Sequence, residues 1–227
     1  MNLAVVPARG GSKRIPRKNI KLFNGKPMIS YAIKSALSSE LFERVIVSTD
    51  DIQIKNVALS LGADVPFLRP KNISDDFAST HSVIKHAAKY IIENYPNIEN
   101  ICTIYPCVPF LRGSDLIGSY KEFQKNRNKY CLSISEFPNS IYRALLKNVD
   151  NYLEPFIFGN QFKRTQDMPK AYFDIGMFYW GKVNTWIHND QLHSDSLGYQ
   201  IDSWRSIDID TEDDWKRAEI LFKVLNN

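Results

Sequence analysis

Cysteine is scarce in this chain. Cys102, Cys107 and Cys131 are the only three in 227 residues, odd in number and without C-x-x-C spacing, which argues against a disulfide framework and a zinc ribbon. The four histidines (His81, His86, His188 and His193) form no H-x-x-x-H or H-x-H pair, so a His/Cys metal site is not expected. No apolar run approaches the ~20 residues of a membrane span. The apolar opening Met1–Pro7 is too short for a signal-peptide core and has no basic lead-in. The expected setting is therefore reducing and cytoplasmic, away from membranes. Acid is missing from the first 39 residues, which hold eight bases: Arg9, Lys13, Arg14, Arg17, Lys18, Lys21, Lys26 and Lys34. The formal net charge of +4 hides this asymmetry, because the remainder carries 21 bases against 25 acids.

An apolar fraction of 44% argues against disorder, and the length suits one large α/β domain spanning residues 1–227. Leu3–Val6, Arg44–Ser48, Val65–Leu68 and Asn100–Tyr105 read as short buried strands. Helical spacing follows Pro27, Asp51, Ser79 and Gly113. This alternation predicts βαβ units and a mostly parallel sheet, with ligands beyond the carboxyl ends of the strands. In the second half, Tyr130–Ser135, Tyr172–Trp180 and Ser206–Ile209 read as strands, and Thr211–Leu225 as a final helix. The aperiodic stretch from about residue 137 to 170 is too long for a routine connection and reads as a lid or dimerisation arm.

The most informative segment follows the first strand: Pro7-Ala8-Arg9-Gly10-Gly11-Ser12-Lys13-Arg14-Ile15-Pro16-Arg17-Lys18-Asn19. Adjacent glycines and a serine let backbone N–H groups converge on an anion, and Arg9 and Lys18 add full charges. The patterns G-x-x-x-x-G-K-[ST] and G-x-G-x-x-G are both absent, which argues against a P-loop ATPase and a dinucleotide-binding enzyme. A phosphate-bearing ligand suits this loop best. A nucleic-acid patch or an inert basic surface are the alternatives, and the acidic balance beyond residue 39 speaks against nucleic acid. Far along the chain, Asp208 and Asp210 sit at i and i+2 of a predicted strand, which places both carboxylates on one side. Such a pair suits Mg²⁺, or else merely ends the strand and caps the last helix.

Val5-Val6-Pro7-Ala8-Arg9-Gly10-Gly11-Ser12-Lys13, continuing to Arg17-Lys18-Asn19, resembles the opening motif of the acylneuraminate cytidylyltransferases. Four further segments resemble that family in order: Val47–Asp51, Arg69–Thr80, Arg164–Pro169 and Ser206–Thr211. The wording of Lys13–Ile20 and Tyr105–Phe110 is most similar to the pseudaminic acid branch, with one departure, Met177 where a glutamine is expected. The resemblance implies a Rossmann-like three-layer nucleotidyltransferase fold with a dimerisation arm. It implies transfer of CMP from CTP to the anomeric hydroxyl of a nonulosonic acid, with Mg²⁺ as cofactor and a homodimer as the working form. N-acetylneuraminate, legionaminate or a related keto-sugar acid are alternative acceptors, and a non-catalytic nucleotide-binding module is the remoter alternative. By resemblance, Arg9, Lys18, Asp208 and Asp210 are the catalytic and metal-binding set. Ala8, Gly10, Gly11, Ser12, Asn19, Arg69, Ala78 and Ser79 would join Arg9 and Lys18 around the nucleotide. Tyr105, Arg164, Gln166, Tyr172 and Phe178 would meet the sugar acid.

Overall fold

The computed structural model describes residues 1–127 and 129–226. Six strands form the central sheet: β1 (Asn2–Pro7), β2 (Arg44–Ser48), β3 (Asn100–Ile104), β4 (Cys131–Glu136), β5 (Tyr172–Lys182) and β6 (Leu197–Gln200). Their order is β6-β4-β5-β3-β1-β2. The pairs β1–β2, β1–β3 and β4–β6 are parallel, while β5 runs antiparallel to both β3 and β4. The helices are α1 (Ile29–Ser38), α2 (Ile52–Ser60), α3 (Thr80–Asn94), α4 (Gly113–Lys125), α5 (Val183–His188) and α6 (Glu212–Asn226).

Side-chain alternation along the strands builds two cores. In β1, Ala4 and Val6 join one core with Ile29, Ile33, Leu116 and Trp215, while Leu3 and Val5 join the other with Ile84, Ala88 and Trp186. Helices α1, α4 and α6 thus cover one face, and α3 and α5 the other, as the three-layer expectation required. The caps follow the sequence: Asp51 accepts from the Ile54 N–H at 2.9 Å and Ser79 from the Ser82 N–H at 3.1 Å.

Two expected strands are absent. Val65–Leu68 makes only isolated bridges, Ile46 to Asp64 and Thr49 to Leu68, because Pro66 has no N–H to give a ladder. Ser206–Ile209 is irregular. It has no neighbouring strand, and the Ile209 carbonyl instead accepts the Lys18 ammonium at 2.8 Å. Conversely, β6 and α5 were not foreseen. Gly198 obscures the strand pattern of β6; it packs closely under Ile134, whose Cδ1 a Cβ there would displace.

The stretch 137–170 contains a hairpin of two three-residue strands, Leu145–Lys147 and Leu153–Pro155, with short 3₁₀ turns around it. Leu146, Val149, Tyr152, Phe158 and Phe162 are all exposed on it. No helix among the described residues is long and apolar enough to cross a membrane.

Candidate active site

A cleft of about 770 Å³ opens at the carboxyl ends of β1 and β3, between the loop after β1, the segment 69–83, the turn after β3, residues 173–179 and residues 206–210. It brings together Arg9, Ser12, Lys18, Asn19, Arg69, Ala78, Tyr105, Asp208 and Asp210, each expected from the sequence.

The loop after β1 is held from behind. The Ala8 N–H donates to the Ser48 carbonyl at 2.9 Å and the Gly10 N–H to Asp50 Oδ1 at 3.0 Å. A Cβ on Gly10 would come within 2.7 Å of Asp51 Oδ2, so glycine is required there for contact with the cap of α2. Arg17 adopts a left-handed backbone (φ 57°) and grips Asp51 through two guanidinium nitrogens at 2.6 and 2.8 Å. That pairing holds the Asp51 carboxyl down at about 2. Ala8, Gly10 and Gly11 therefore shape the loop without lining the cleft, and the Gly10 N–H is already spent on Asp50.

At the other end of the chain, Lys18 and Arg14 reach Asp210, at 3.4 and 2.8 Å. The Lys18 bond to Ile209 spans 191 positions of sequence. This meeting is fixed from outside the cleft by Lys21, which pairs with Glu212 at 2.7 Å and lies 4.7 Å over the Trp215 ring. Phe23 packs edge-on against Trp215, Tyr31 and Phe222. The start of α6 is thereby anchored to the basic loop, and Asp208 and Asp210 face the cleft without the strand geometry expected for them. Burial, and then the neighbouring Asp210, push the Asp208 carboxyl above its ordinary range.

Arg69 is only 6% exposed. One of its guanidinium NH₂ groups donates to the Ser48 carbonyl at 2.6 Å, while its Nε–H has no partner. Burial lowers its pKa to about 10, which leaves it charged at neutral pH. A buried cation with a free donor in a cleft wall is poised for an acceptor atom. Asn19 donates to the Arg9 carbonyl at 2.8 Å and accepts from the Cys107 thiol at 3.3 Å, so its amide braces the floor. Burial raises that thiol to about 12, which makes it a packing group rather than a nucleophile. Ser79 caps α3 and does not line the cleft.

The far end is aromatic, with a single carboxylate, Asp174. Tyr105 shares a hydrogen bond with the Thr80 hydroxyl, and its ring lies 5.6 Å from that of Tyr179. Tyr179 donates to Asp174 Oδ2 at 2.7 Å, His193 Nε2 lies 2.7 Å from the same oxygen, and the Gly176 N–H donates to Asp174 Oδ1 at 2.8 Å. Burial raises the pKa of both phenols, which keeps them protonated donors. Met177 forms part of this wall. Phe178 does not: it is fully buried on the opposite face of β5, where its ring packs near Tyr199. Tyr172, Arg164 and Gln166 also lie outside the cleft, and Arg164, 74% exposed, lies 4.0 Å from Asp167 and against the Gln166 amide. Sequence reasoning missed Lys13, Arg14, Asp76, Thr80, Asp174 and Tyr179 as cleft residues. Lys13, Arg14, Asp76, Thr80 and Asp174 stood inside quoted segments, Asp174 in the one that ends at Met177, whereas nothing local marked Tyr179.

A cationic loop after the first strand, facing two carboxylates across a cleft at the strand ends, defines an α/β nucleotidyl-transfer domain. The family model for cytidylyltransferases matches residues 3–158. A pseudaminic acid cytidylyltransferase from Campylobacter jejuni is 41% identical over 224 residues, covering 98% of this chain and 97% of that protein. A CMP-N,N'-diacetyllegionaminic acid synthase from Legionella pneumophila is 32% identical, covering 98% and 96%. Among solved structures, a CMP:2-keto-3-deoxy-manno-octonic acid synthetase complexed with CTP superposes with a TM-score of 0.74 at 16% identity over 99% of both chains. The chain belongs to the cytidylyltransferase family.

Proposed function

We propose that this chain transfers CMP from CTP to the anomeric hydroxyl of a nonulosonic acid, with pseudaminic acid as its acceptor, and releases pyrophosphate. The observation that carries this reading is the meeting of Lys18 with Ile209 and Asp210 across the cleft, which sets cations and carboxylates around one space. The identity to the Campylobacter jejuni enzyme supports the choice of acceptor.

In an in-line attack on the α-phosphate, negative charge grows on the bridging oxygen and on the leaving pyrophosphate. Arg9, Lys13, Arg14 and Lys18 line the cleft where that charge would develop. Being fixed before the reaction, they stabilise it without reorganising solvent. Arg69, with its free Nε–H, and Ala78 would meet the cytosine. Asp208 and Asp210 would hold a divalent cation, taken here as Mg²⁺. Both face the cleft, and no cluster of three or more His, Cys, Asp or Glu that could hold a metal occurs among the described residues. An oxygen-donor pair that leaves positions for phosphate and water fits the habit of that ion. When bound, the ion would draw charge from the phosphates and acidify a neighbouring hydroxyl. The neutral phenols of Tyr105 and Tyr179 would orient the sugar at the other end.

We further propose a homodimer in which the arm 137–170 covers a second copy. Its exposed Leu146, Val149, Phe158 and Phe162 support this, and Arg164 and Gln166, outside their own cleft, would then serve the partner's sugar acid. Three free cysteines fit a reducing cytoplasm. Pyrophosphate release with CTP, Mg²⁺ and a panel of nonulosonic acids tests the function. Release is expected with pseudaminic acid, and silence across the panel would overturn the proposal.

A further inference from the structure

Asp76 occupies an unusual position in the cleft. Its carboxylate pairs with Arg9 Nη1 at 2.6 Å through one oxygen and with the Lys13 ammonium through the other. A carboxylate shared between two cations that line a phosphate cleft presents the charge and the acceptor geometry of a phosphate. We propose that Asp76 is a positioning residue that stands in for the triphosphate, holding Arg9 and Lys13 in the cleft until CTP displaces it. The inference rests on the reading of this cleft as a CTP site.

The local structure makes the exchange feasible. The Asp76 side chain is 35% exposed, and these two cations are its side-chain ion-pair partners. The two cations push its carboxyl below the usual range, so it is ionised throughout the neutral range and always competes for them. The turn around it is maintained by other groups. Asp75 Oδ1 accepts from the Phe77 and Ala78 N–H groups at 3.0 and 2.8 Å, and Ser79 caps α3. Releasing Asp76 therefore leaves the fold of the turn intact while untying segment 75–79 from the basic loop. That segment carries Ala78 and the 93% exposed Phe77, so phosphate binding is coupled to the wall that meets the base.

A competitor of this kind has a signature opposite in sign to that of an ordinary binding residue. Removing its charge frees two cations, each exposed pair being worth at most about a fivefold factor, so affinity for a polyphosphate should rise about three- to tenfold. The test is calorimetric titration of CTP and of inorganic tripolyphosphate into the wild-type protein, Asp76→Asn and Asp76→Glu, with melting curves on each. Tighter binding of both ligands by Asp76→Asn, near-wild-type binding by Asp76→Glu and unchanged melting support the inference. In turnover, Asp76→Asn should lower KM for CTP and leave KM for the sugar acid unmoved, which a merely structural role would not do. Weaker or unchanged tripolyphosphate binding by Asp76→Asn overturns it. Wild-type protein that binds tripolyphosphate but not CTP overturns the nucleotide reading instead, and the Asp76 exchange is still read on tripolyphosphate.

Discussion

The two ends of the cleft are made of different material. At the proposed nucleotide end four cations are already matched, Arg9 and Lys13 with Asp76 and Arg14 and Lys18 with Asp210, while Arg69 keeps a free Nε–H. At the sugar end two protonated phenols converge near one carboxylate, Asp174, beside the apolar Met177. The first end has to trade ion pairs when its ligand arrives. The second end keeps hydrogen bonds that are already formed, since Asp174 accepts from Gly176 and Tyr179 with His193 at the same distance. Exchange suits a highly charged triphosphate, and fixed neutral donors suit a sugar that must be told from its epimers.

Several substitutions break or sharpen this contrast. The largest effect is expected from Lys18→Met, which removes the cation bridging the loop and residues 209–210. It should cut kcat by about 10²–10³, as loss of a transition-state charge stabiliser does, in steady-state assays of pyrophosphate release. Asp174→Asn should raise KM for the sugar acid about tenfold, the cost of disturbing one partly buried acceptor of several hydrogen bonds, and leave KM for CTP alone. Placing Asp at both Leu146 and Phe158, which are exposed on the arm, should shift the protein to a monomer in light scattering and lower turnover about severalfold by removing the partner's contribution.

The smallest effect concerns the buttress behind the basic loop. Asp51→Ala loses both the cap of α2 and the grip on Arg17, and should cost about 1–2 kcal/mol at pH 7. The Asp51 carboxyl is depressed from 3.8 to about 2 in the fold. Its contribution is therefore complete above pH 3.8 and is lost as the pH falls through about 2. Melting curves of wild type and variant should differ constantly above pH 5 and converge only as the pH falls through about 2.

The contrast also explains what could be read in the chain. The nucleotide end lies close to β1, β2 and the turn before α3, where strand periodicity, glycines and caps are local signals. Arg9, Lys18, Arg69 and Ala78 were therefore legible as residues of one cleft. The carboxylate pair was legible as residues and not as structure: 206–210 has no strand partner, and Lys18 and Lys21 hold it through contacts some 191 positions distant. Of the other end only Tyr105 was legible as a cleft residue, because that end is assembled from β5, the turn after β3 and the loop bearing His193, with no motif linking them. Phe178 was misplaced by one residue of strand alternation: it is fully buried in the core opposite that of Tyr179, while Met177 and Tyr179 line the cleft. The stretch 137–170 was legible only as irregularity, since its two three-residue strands and single-turn 3₁₀ segments are too short to carry a period.

Steady-state kinetics with both substrates varied is the most direct test of a cleft divided in this way. Asp76→Asn and Arg69→Ala should move KM for CTP alone, and Asp174→Asn and Tyr179→Phe should move KM for the sugar acid alone. Variants at the two ends that shift both constants equally would contradict the division.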